Sequence, residues 1–407
     1  MLGVMQLVLL YTLPFLVVLT VVITVHEFGH FIVARWCGVA VERFAIGFGR
    51  AIFHWTDKSG VEWRIGWIPF GGYVKFAGDA NAASTAPTED DLDAARREIV
   101  AREGLGAELK YFHFKPLWQR ALVVVAGPVA NFVLSIVLFA LILGGFGEVG
   151  HKPRIGGVQP NSPAARAGFL AGDLVVSANG RRIDDFSDLA TYTALRAGEP
   201  IRFTVRRGPA DIDLVATPER RVVKNPATGA TAKLGVLGLA SSAEPGDVFH
   251  RRYSPSEALA GGVSRSWQQI ETTLFYISRI FRGRESGDQL GSFIGIAKTS
   301  GDFAHAGAYG APNFAAKALG VSLALATLIA ALSVNIGFAN LLPVPVLDGG
   351  HLLFYAYEAV ARRPLGAKVQ AAGYRVGLAL LLGLMLFATW NDLQQLRVFK
   401  ILGGLLS

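Results

Sequence analysis

The sequence predicts a polytopic α-helical membrane protein with four transmembrane helices, a small α/β domain inserted between them and a membrane-associated β-hairpin region. Hydrophobic residues make up 52% of the 407 residues and charged residues only 17%, whereas soluble domains carry about 25% charged residues. The mean hydropathy is +0.39. Four long stretches contain no Asp, Glu, Lys or Arg, which is typical of membrane-spanning helices.

Charge and cysteine content narrow the class of protein further. On so hydrophobic a chain, the formal net charge of +8 is better explained by basic loops at the inner face of a membrane than by nucleic-acid binding. Cys37 is the only cysteine, so an intrachain disulfide framework and a cysteine-based zinc finger are excluded. The composition also excludes a disordered chain and argues against a cytosolic enzyme.

The charge-free stretches define the predicted spans, because a helix needs about 20 residues to cross roughly 30 Å of hydrocarbon. They are residues 1–25, 121–147, 318–347 and 376–391. The first could instead be a signal peptide, but no basic residue precedes it and no small-residue cleavage site follows it. The fourth is short, so we expect its helix to extend past Arg375 or Asp392. Gly127, Pro128 and Asn131 predict a kinked, closely packed second span.

Basic residues predict the orientation, since they concentrate in cytoplasmic loops. They flank the loop between spans one and two and fill the short loop between spans three and four: Arg35, Arg43, Arg50, Lys115, Arg120, Arg362, Arg363, Lys368 and Arg375. Both loops should be cytoplasmic, and residues 148–317 should lie on the outer side. Spans one and three then end on the same side, and those two ends hold the most unusual polar residues.

The end of the first span carries the pattern His26-Glu27-Phe28-Gly29-His30. Residues i and i+4 share one face of a helix, so both imidazoles can bind one ion. Glu27 can take a proton from a water molecule that the ion activates. Ionisable groups are costly inside a membrane. We therefore interpret the pattern as a metal site rather than as two histidines that cap or pack the helix end.

A third ligand is required, because catalytic zinc keeps three protein ligands and one open position. Asp348 follows the third charge-free stretch and is expected on the same side as His26 and His30. Pro343 and Pro345 break the helix just before it, and non-helical backbone at membrane depth is tolerated where it lines a cavity. Asp348 could also cap a following helix, a role compatible with metal binding.

Two motifs together carry a family resemblance: the pattern HEFGH and the run NLLPVPVLDG that begins at Asn340. They resemble the site-2 protease family of intramembrane zinc metalloproteases. Their order, with an outer-side domain between them, is similar to that of the bacterial regulator-of-sigma-E proteases. The resemblance implies one Zn²⁺ per chain bound by His26, His30 and Asp348, with Glu27 as the general base.

Two asparagines match residues that this family uses near its active site. The resemblance implies that Asn335 and Asn340 hold the substrate backbone or the oxyanion, which side-chain amides can do. Interhelical hydrogen bonding is the alternative role. His351 is a tempting fourth ligand, but catalytic zinc must keep one position open, so we expect a structural role for it.

Residues 154–218 have the composition of a small soluble domain. The predicted elements are strands at 155–158, 174–178 and 201–205 and a helix at 185–196. The run NSPAARAGFLAGD that begins at Asn161, followed by Asn179 and Gly180, resembles a bacterial PDZ domain. Such domains bind peptides by adding a strand at a sheet edge, and a spacer with a closed groove is the alternative.

Two alternating runs flank Asp57-Lys58-Ser59-Gly60, a connection that suits a β-hairpin. Trp55, Trp63 and Trp67 suit a sheet at the membrane interface. In the family that the motifs resemble, the corresponding region extends toward the active site and can pair with an unwound substrate. Interfacial anchoring is the alternative. Residues 79–108, rich in Ala, Thr and acidic residues, predict a flexible cytoplasmic insert.

These elements divide the chain into seven predicted segments. They are a first transmembrane helix with the HExxH motif (1–36), a hairpin loop with the flexible insert (37–116), a second transmembrane helix (117–147), a PDZ-like domain (148–220), an outer-side connector with an amphipathic helix at 254–281 (221–315), a third transmembrane helix with the NxxPxPxLDG motif (316–361), and a fourth transmembrane helix with the C-terminal tail (362–407).

The resemblance implies an intramembrane zinc endopeptidase in the bacterial inner membrane, with its PDZ-like domain in the periplasm and its active site toward the cytoplasm. Its substrates would be single-span membrane proteins, such as an anti-sigma factor or a remnant signal peptide, already trimmed on the outer side. A peptide or substrate tail would bind the PDZ-like domain, and the lipid bilayer is the other expected partner. A non-catalytic membrane-anchored PDZ adaptor is the alternative, but it has no use for Glu27. A transporter is a third hypothesis, which no internal repeat supports.

Overall fold

The computed structural model describes residues 2–78, 89–224, 231–284, 287 and 291–395. Its helices are α1 (Leu2–Trp36), α2 (Glu89–Glu103), α3 (Leu117–Phe146), α4 (Pro163–Arg166), α5 (Phe186–Ala194), α6 (Pro255–Phe281), α7 (Phe293–Ala308), α8 (Phe314–Asn340), α9 (Asp348–Ala361) and α10 (Ala367–Gln395). Its strands are β1 (Val41–Thr56), β2 (Glu62–Phe76), β3 (Glu148–His151), β4 (Ile155–Val158), β5 (Leu174–Ala178), β6 (Arg181–Arg182), β7 (Ile201–Arg207), β8 (Ala210–Ala216), β9 (Glu219–Lys224), β10 (Thr231–Val236), β11 (Leu239–Ser241) and β12 (Val248–Arg251).

Helices α1, α3, α8 and α10 are long and apolar enough to cross a membrane, as the charge-free stretches predicted. The candidate spans are Leu10–Trp36, Leu117–Phe146, Phe314–Asn340 and Ala367–Gln394. The fourth helix includes both Arg375 and Asp392, so the expected extension beyond the charge-free stretch is confirmed. Four such helices make this chain a multi-pass membrane protein, which also contains small β-sheets.

The chain divides into two compact units, the first formed by Met1–Phe139 and Gly262–Ser407. Small residues bring the helices of this unit close together. A Cβ atom at Gly29 would lie 2.4 Å from the carbonyl oxygen of Ala126, and one at Gly320 would lie 2.0 Å from that of Gly307. Such close backbone contact gives membrane helices van der Waals packing that lipid tails do not offer. Helix α7, which the sequence analysis did not predict, is held against α8 in this way.

The third span ends where the prolines predicted. Helix α8 ends at Asn340, and α9 begins at Asp348 after a turn that contains Pro343 and Pro345. A Cβ atom at Gly349 or Gly350 would lie 2.3 Å from a backbone carbonyl oxygen of this turn. The turn is therefore tight, and it places the Asp348 carboxylate in the first turn of α9, where backbone N–H groups favour a negative charge.

Strands β1 and β2 form a sheet that is more elaborate than a simple hairpin. The connection comprises residues 57–61 and so includes the predicted residues 57–60, because β1 ends at Thr56 and β2 begins at Glu62. Both strands are long and fold back on themselves, so that residues 43–46 pair with residues 62–65 and also with residues 72–75. Residues 72–76 consequently form an outer edge of this sheet, and no described strand pairs with their free side.

Part of the predicted flexible insert is helical. Residues 89–103 form α2, whose Ile99 packs against Ala107 and Tyr111 in a small apolar cluster. The polar, acidic composition of these residues did not predict a helix. Packing of one apolar face is nevertheless enough to stabilise a helix whose other faces are polar. Residues 79–88 of the predicted insert lie outside the described residues.

The second compact unit comprises Ala140–Gly261. Its four-stranded sheet has the order β6-β5-β7-β8, and its apolar core includes Ile155, Phe169, Leu189 and Phe203. Strand β11 pairs with β4, and Leu237 also lies in the core, so this domain continues beyond the boundary at residue 220 drawn from the sequence. Strands β3 and β12 pair with each other and bring the two ends of this segment of the chain together.

Candidate metal centre

Three potential ligand atoms converge where α1 meets the start of α9. Nε2 of His26 lies 3.2 Å from Nε2 of His30, and Oδ2 of Asp348 lies 3.1 Å and 3.6 Å from these two nitrogens. The i, i+4 spacing places both imidazoles on one face of α1. In the described part of the chain, His26, His30 and Asp348 form the one group of three that can hold a metal ion.

The neighbouring helix α3 fixes both imidazole rings. Nδ1 of His30 donates to the backbone carbonyl of Val123 at 2.8 Å. Nδ1 of His26 lies 3.2 Å from the side-chain amide of Asn131. Gly127 lies between these two contacts, and a Cβ atom there would be 2.3 Å from Nε2 of His30 and 2.9 Å from Cε1 of His26. Val123, Gly127 and Asn131 are spaced by four residues along α3 and therefore share one face of that helix.

Glu27 lies beside the three ligand atoms in the wall of a cavity of about 1240 Å³. The backbone N–H of Val74, on the free edge of the β1–β2 sheet, donates to the Glu27 carboxylate. Gly72 of the same edge is so close that a Cβ atom there would lie 3.8 Å from Cγ of Glu27. The cavity thus joins a carboxylate, a convergent ligand set and an unpaired strand edge.

The two predicted substrate-binding asparagines occupy different positions. Asn340 lines the cavity, but Asn335 is absent from its walls. Oδ1 of Asn335 accepts hydrogen bonds from Nε2 of Gln269 at 3.3 Å and from Oγ1 of Thr273 at 3.1 Å, both on α6. This is the interhelical bonding that the sequence analysis kept as the alternative role, and it leaves the Asn335 side-chain NH₂ as its remaining polar group.

Further polar residues, on α3, α9 and α10, line another part of the cavity. The hydroxyl of Tyr374 lies 3.4 Å from Nδ1 of the His351 ring. Arg120 donates to Glu358 at 2.5 Å, and its guanidinium group lies over the ring of Tyr355. His351 is not part of the convergent ligand set, in keeping with the structural role predicted for it.

Sequence reasoning missed the residues that support the site from other elements. Val123 acts through its backbone carbonyl and Val74 through its backbone N–H, and neither group depends on residue type. Gly127 and Asn131 were noted only for helix packing. Their four-residue spacing, in the span that follows the HExxH helix, was the one available signal that they face the histidines.

Comparisons with known proteins agree with this geometry. The profile of Peptidase family M50 matches residues 14–384. Metalloprotease MmpA of Caulobacter vibrioides is 51% identical over 399 residues, covering 98% of this chain and 99% of that protein. Proteins of Agrobacterium fabrum and Rhizobium meliloti that carry zinc metalloprotease in their names are 42% and 41% identical, each covering 95% of this chain and 96% and 97% of their own lengths.

The match covers the four candidate spans except residues 10–13 of the first and residues 385–394 of the fourth, and it includes every member of the convergent ligand set. The relatives align along almost their whole length, so the likeness is not confined to one domain. This protein belongs to peptidase family M50, the site-2 protease family.

Proposed function

We propose that this protein is an intramembrane zinc metalloendopeptidase. It hydrolyses peptide bonds within or near the transmembrane segment of single-span membrane proteins. The observation that carries the proposal is the convergence of His26, His30 and Asp348 beside Glu27 in one cavity of a multi-pass chain. Relatives that carry zinc metalloprotease in their names support the choice of metal and reaction.

The ligand atoms fit zinc by distance and by chemistry. Ligands of a tetrahedral ion with bonds of roughly 2.0–2.1 Å are roughly 3.3–3.4 Å apart, and the three atoms here are separated by 3.1, 3.2 and 3.6 Å. Oδ2 of Asp348 is buried and makes no hydrogen bond of good geometry within the described residues. A buried carboxylate oxygen beside two imidazoles is well suited to a cation, and this mixed set favours zinc over magnesium or calcium.

When bound, zinc supplies a Lewis acid that polarises the scissile carbonyl and makes water more acidic. The protein provides the proton transfers. Glu27 accepts a proton from the attacking water and delivers it to the leaving amine. The Val74 N–H holds the Glu27 carboxylate at the cavity wall, so the base is positioned before substrate arrives.

The free edge of residues 72–76 binds the substrate as an added strand. A transmembrane helix hides its carbonyls in its own hydrogen bonds, so the cleaved segment must first become extended. An unpaired strand edge offers N–H and C=O groups to such a segment, and this edge runs past Glu27. Asn340 lines the same cavity and donates its amide to the substrate backbone or the oxyanion. Asn335 acts on the substrate indirectly, through the hydrogen bonds that its side-chain oxygen accepts from α6.

The second unit is a PDZ-like domain on the periplasmic side of the inner membrane, and the active site opens toward the cytoplasm. This orientation rests on the basic loops between the spans. The unit binds a peptide or a substrate tail and excludes proteins with bulky outer domains, so that substrates such as an anti-sigma factor are cleaved only after trimming. An α/β core with a four-stranded sheet and the strand pair β4–β11 supports the PDZ-like assignment.

The test is cleavage of a single-span reporter, with a short outer segment, by the detergent-solubilised wild type and by Glu27→Gln. We expect the variant to lose cleavage at least 100-fold while it retains one zinc per chain, because the substitution removes the base and none of the ligands. Glu103→Gln, on α2, is the matched control and should cleave normally. Equal cleavage by wild type and Glu27→Gln would overturn the assignment, and a wild type that contains zinc but cleaves none of several reporters would favour the adaptor hypothesis.

A further inference from the structure

Metal binding through Nε2 places a requirement on the other ring nitrogen of each histidine. A neutral imidazole carries one proton, so a free lone pair on Nε2 requires N–H at Nδ1 and an acceptor for that hydrogen. His30 meets the requirement, because the carbonyl of Val123 accepts from its Nδ1. Among the described residues, the group at Nδ1 of His26 is not a backbone carbonyl but the side-chain amide of Asn131.

Asn131 is buried and has an unsatisfied polar atom. Its side chain is 0% exposed, and its Oδ1 has no hydrogen-bond partner within the described residues. Its Nδ2 lies 3.2 Å from Nδ1 of His26. An Nδ2–H donated to Nδ1 would leave the His26 proton on Nε2, where it would point into the ligand set and prevent metal binding. Rotation of the amide by 180° exchanges Oδ1 and Nδ2 and removes this conflict.

The position of Asn131 is fixed from a third helix. Oγ of Ser333, on α8, donates to the backbone carbonyl of Asn131 at 2.9 Å. A Cβ atom at Gly337 would lie 3.2 Å from Cβ of Asn131, so α8 also presses closely on this side chain. The side-chain amide of Asn131 can therefore rotate about its Cβ–Cγ bond, while these contacts from α8 keep it beside the His26 ring.

We propose that Asn131 is a positioning residue whose Oδ1 accepts the Nδ1–H of His26 and so directs the Nε2 lone pair toward the ion. The inference rests on the proposed zinc function. With this assignment, one face of α3 supplies a hydrogen-bond acceptor to Nδ1 of each histidine. The acceptor is a backbone carbonyl for His30 and a side-chain carbonyl for His26. Partners of this kind orient the ligand and raise its basicity.

Two substitutions at position 131 separate this role from simple packing. Asn131→Asp keeps an acceptor at Nδ1, so we expect zinc affinity at or above that of the wild type. Asn131→Leu fills a similar volume without an acceptor, and we expect the affinity to fall about 10–100-fold. The matched control is Ser135→Ala, one turn further along α3. Ser135 is also 0% exposed and bonds Ser266 at 3.0 Å, so its loss removes a buried hydrogen bond away from His26.

The readout is the zinc dissociation constant of the purified, detergent-solubilised protein, measured by competition with a chelator. The absorption spectrum of the Co²⁺-loaded protein reports ligand geometry independently of activity. The expected order is Asn131→Asp and Ser135→Ala close to wild type, with Asn131→Leu much weaker. If Asn131→Leu binds zinc as the wild type does, or if Ser135→Ala weakens binding equally, the inference is wrong.

One further variant keeps this test separate from the proposed function. Asp348→Ala removes a ligand and should abolish stoichiometric zinc binding. If the wild type binds no zinc, or if Asp348→Ala binds it normally, the proposed function fails. If Asp348→Ala loses zinc while Asn131→Leu retains wild-type affinity, the proposed function stands and only the role of Asn131 is overturned.

Discussion

Nδ1 of His30 donates to the backbone carbonyl of Val123 at 2.8 Å, across 93 positions of the chain. This bond commits Nε2 to the ligand set without any side chain on α3. It is possible only because α1 and α3 approach closely at Gly29 and Gly127. The geometry of the candidate metal centre therefore depends on the distance between two spans as much as on the HExxH motif.

The first prediction concerns Gly127. In Gly127→Ala the new methyl would meet the His30 ring at 2.3 Å, and the ring is the group that can move. We expect a folded protein whose zinc affinity and cleavage rate each fall at least tenfold. Gly145→Ala, also on α3, is the control because no atom of the described residues beyond its chain neighbours and its own helix backbone lies within 4 Å of its Cβ position. Unchanged zinc affinity in Gly127→Ala would show that the α1–α3 distance does not set the ligand geometry.

The second prediction tests the free strand edge. Val74→Pro removes the N–H that reaches Glu27, and its ring obstructs an added strand at this edge, where proline is otherwise tolerated. We expect cleavage to fall at least tenfold with zinc content unchanged. Val74→Ala keeps the N–H and should cleave within about twofold of the wild type. Normal cleavage by Val74→Pro would contradict substrate binding at this edge.

The third prediction concerns pH and the connection between β1 and β2. Hydrogen bonds, first from the Ser59 hydroxyl and then from Trp63 and the Val61 backbone, hold the pKa of the Asp57 carboxyl below its ordinary value, although burial opposes this. A depressed pKa stabilises the folded state fully above the unfolded pKa of about 3.9, and this contribution is lost progressively as the pH falls from that value toward the lower folded-state pKa. Asp57→Asn should thus lower the unfolding temperature equally at pH 7 and pH 5.

At pH 3 that difference should shrink, because the wild-type carboxyl is losing its own advantage. The measurement is thermal unfolding of the detergent-solubilised protein at the three pH values. Lys58→Gln, in the same turn, is the control and should show no such pH-dependent change. A difference between wild type and Asp57→Asn that persists undiminished at pH 3 would refute the role of the ionised carboxylate.

The fourth prediction tests the second unit as a size filter. Strands β3 and β12 pair, and the N–H of Lys152 donates to the carbonyl of Asp247 at 2.7 Å, so the ends of the excised segment are adjacent. Residues 153–246 can therefore be replaced by an Asn-Gly turn. We expect unchanged cleavage of a reporter with a short outer segment and new cleavage of one with a folded outer domain. Unchanged selectivity would argue against a filter. If the variant retains zinc but cleaves neither reporter, the unit would instead be assigned to substrate capture.

Local patterns in the sequence were sufficient for much of the fold. The absence of charge predicted four spans, the i, i+4 spacing predicted a shared face for His26 and His30, and the prolines predicted the end of α8. The β1–β2 connection was placed correctly because turn residues interrupt two alternating runs. Each of these signals is carried by neighbouring residues, and backbone geometry alone converts it into structure.

The remaining features depend on contacts between distant segments. Folding of β1 and β2 back on themselves creates the free edge beside Glu27, and the pairing of β11 with β4 extends the second unit beyond residue 220. The hydrogen bonds from α6 to the side-chain oxygen of Asn335 also join distant segments, and the contact of Asn335 with substrate stays a prediction. No periodicity encodes such pairings, since they arise from which surfaces meet after the helices and strands have formed.

The sequence by itself therefore determined which chemical groups are available to this protein: two imidazoles and a glutamate on one helix, with an aspartate that follows another membrane span. Only the tertiary structure decided how those groups are held. It set α3 against α1 at a pair of glycines, so that a carbonyl and an amide face the two rings. The physical reason is that ligand type is a property of a residue, whereas ligand orientation is a property of the packing around it.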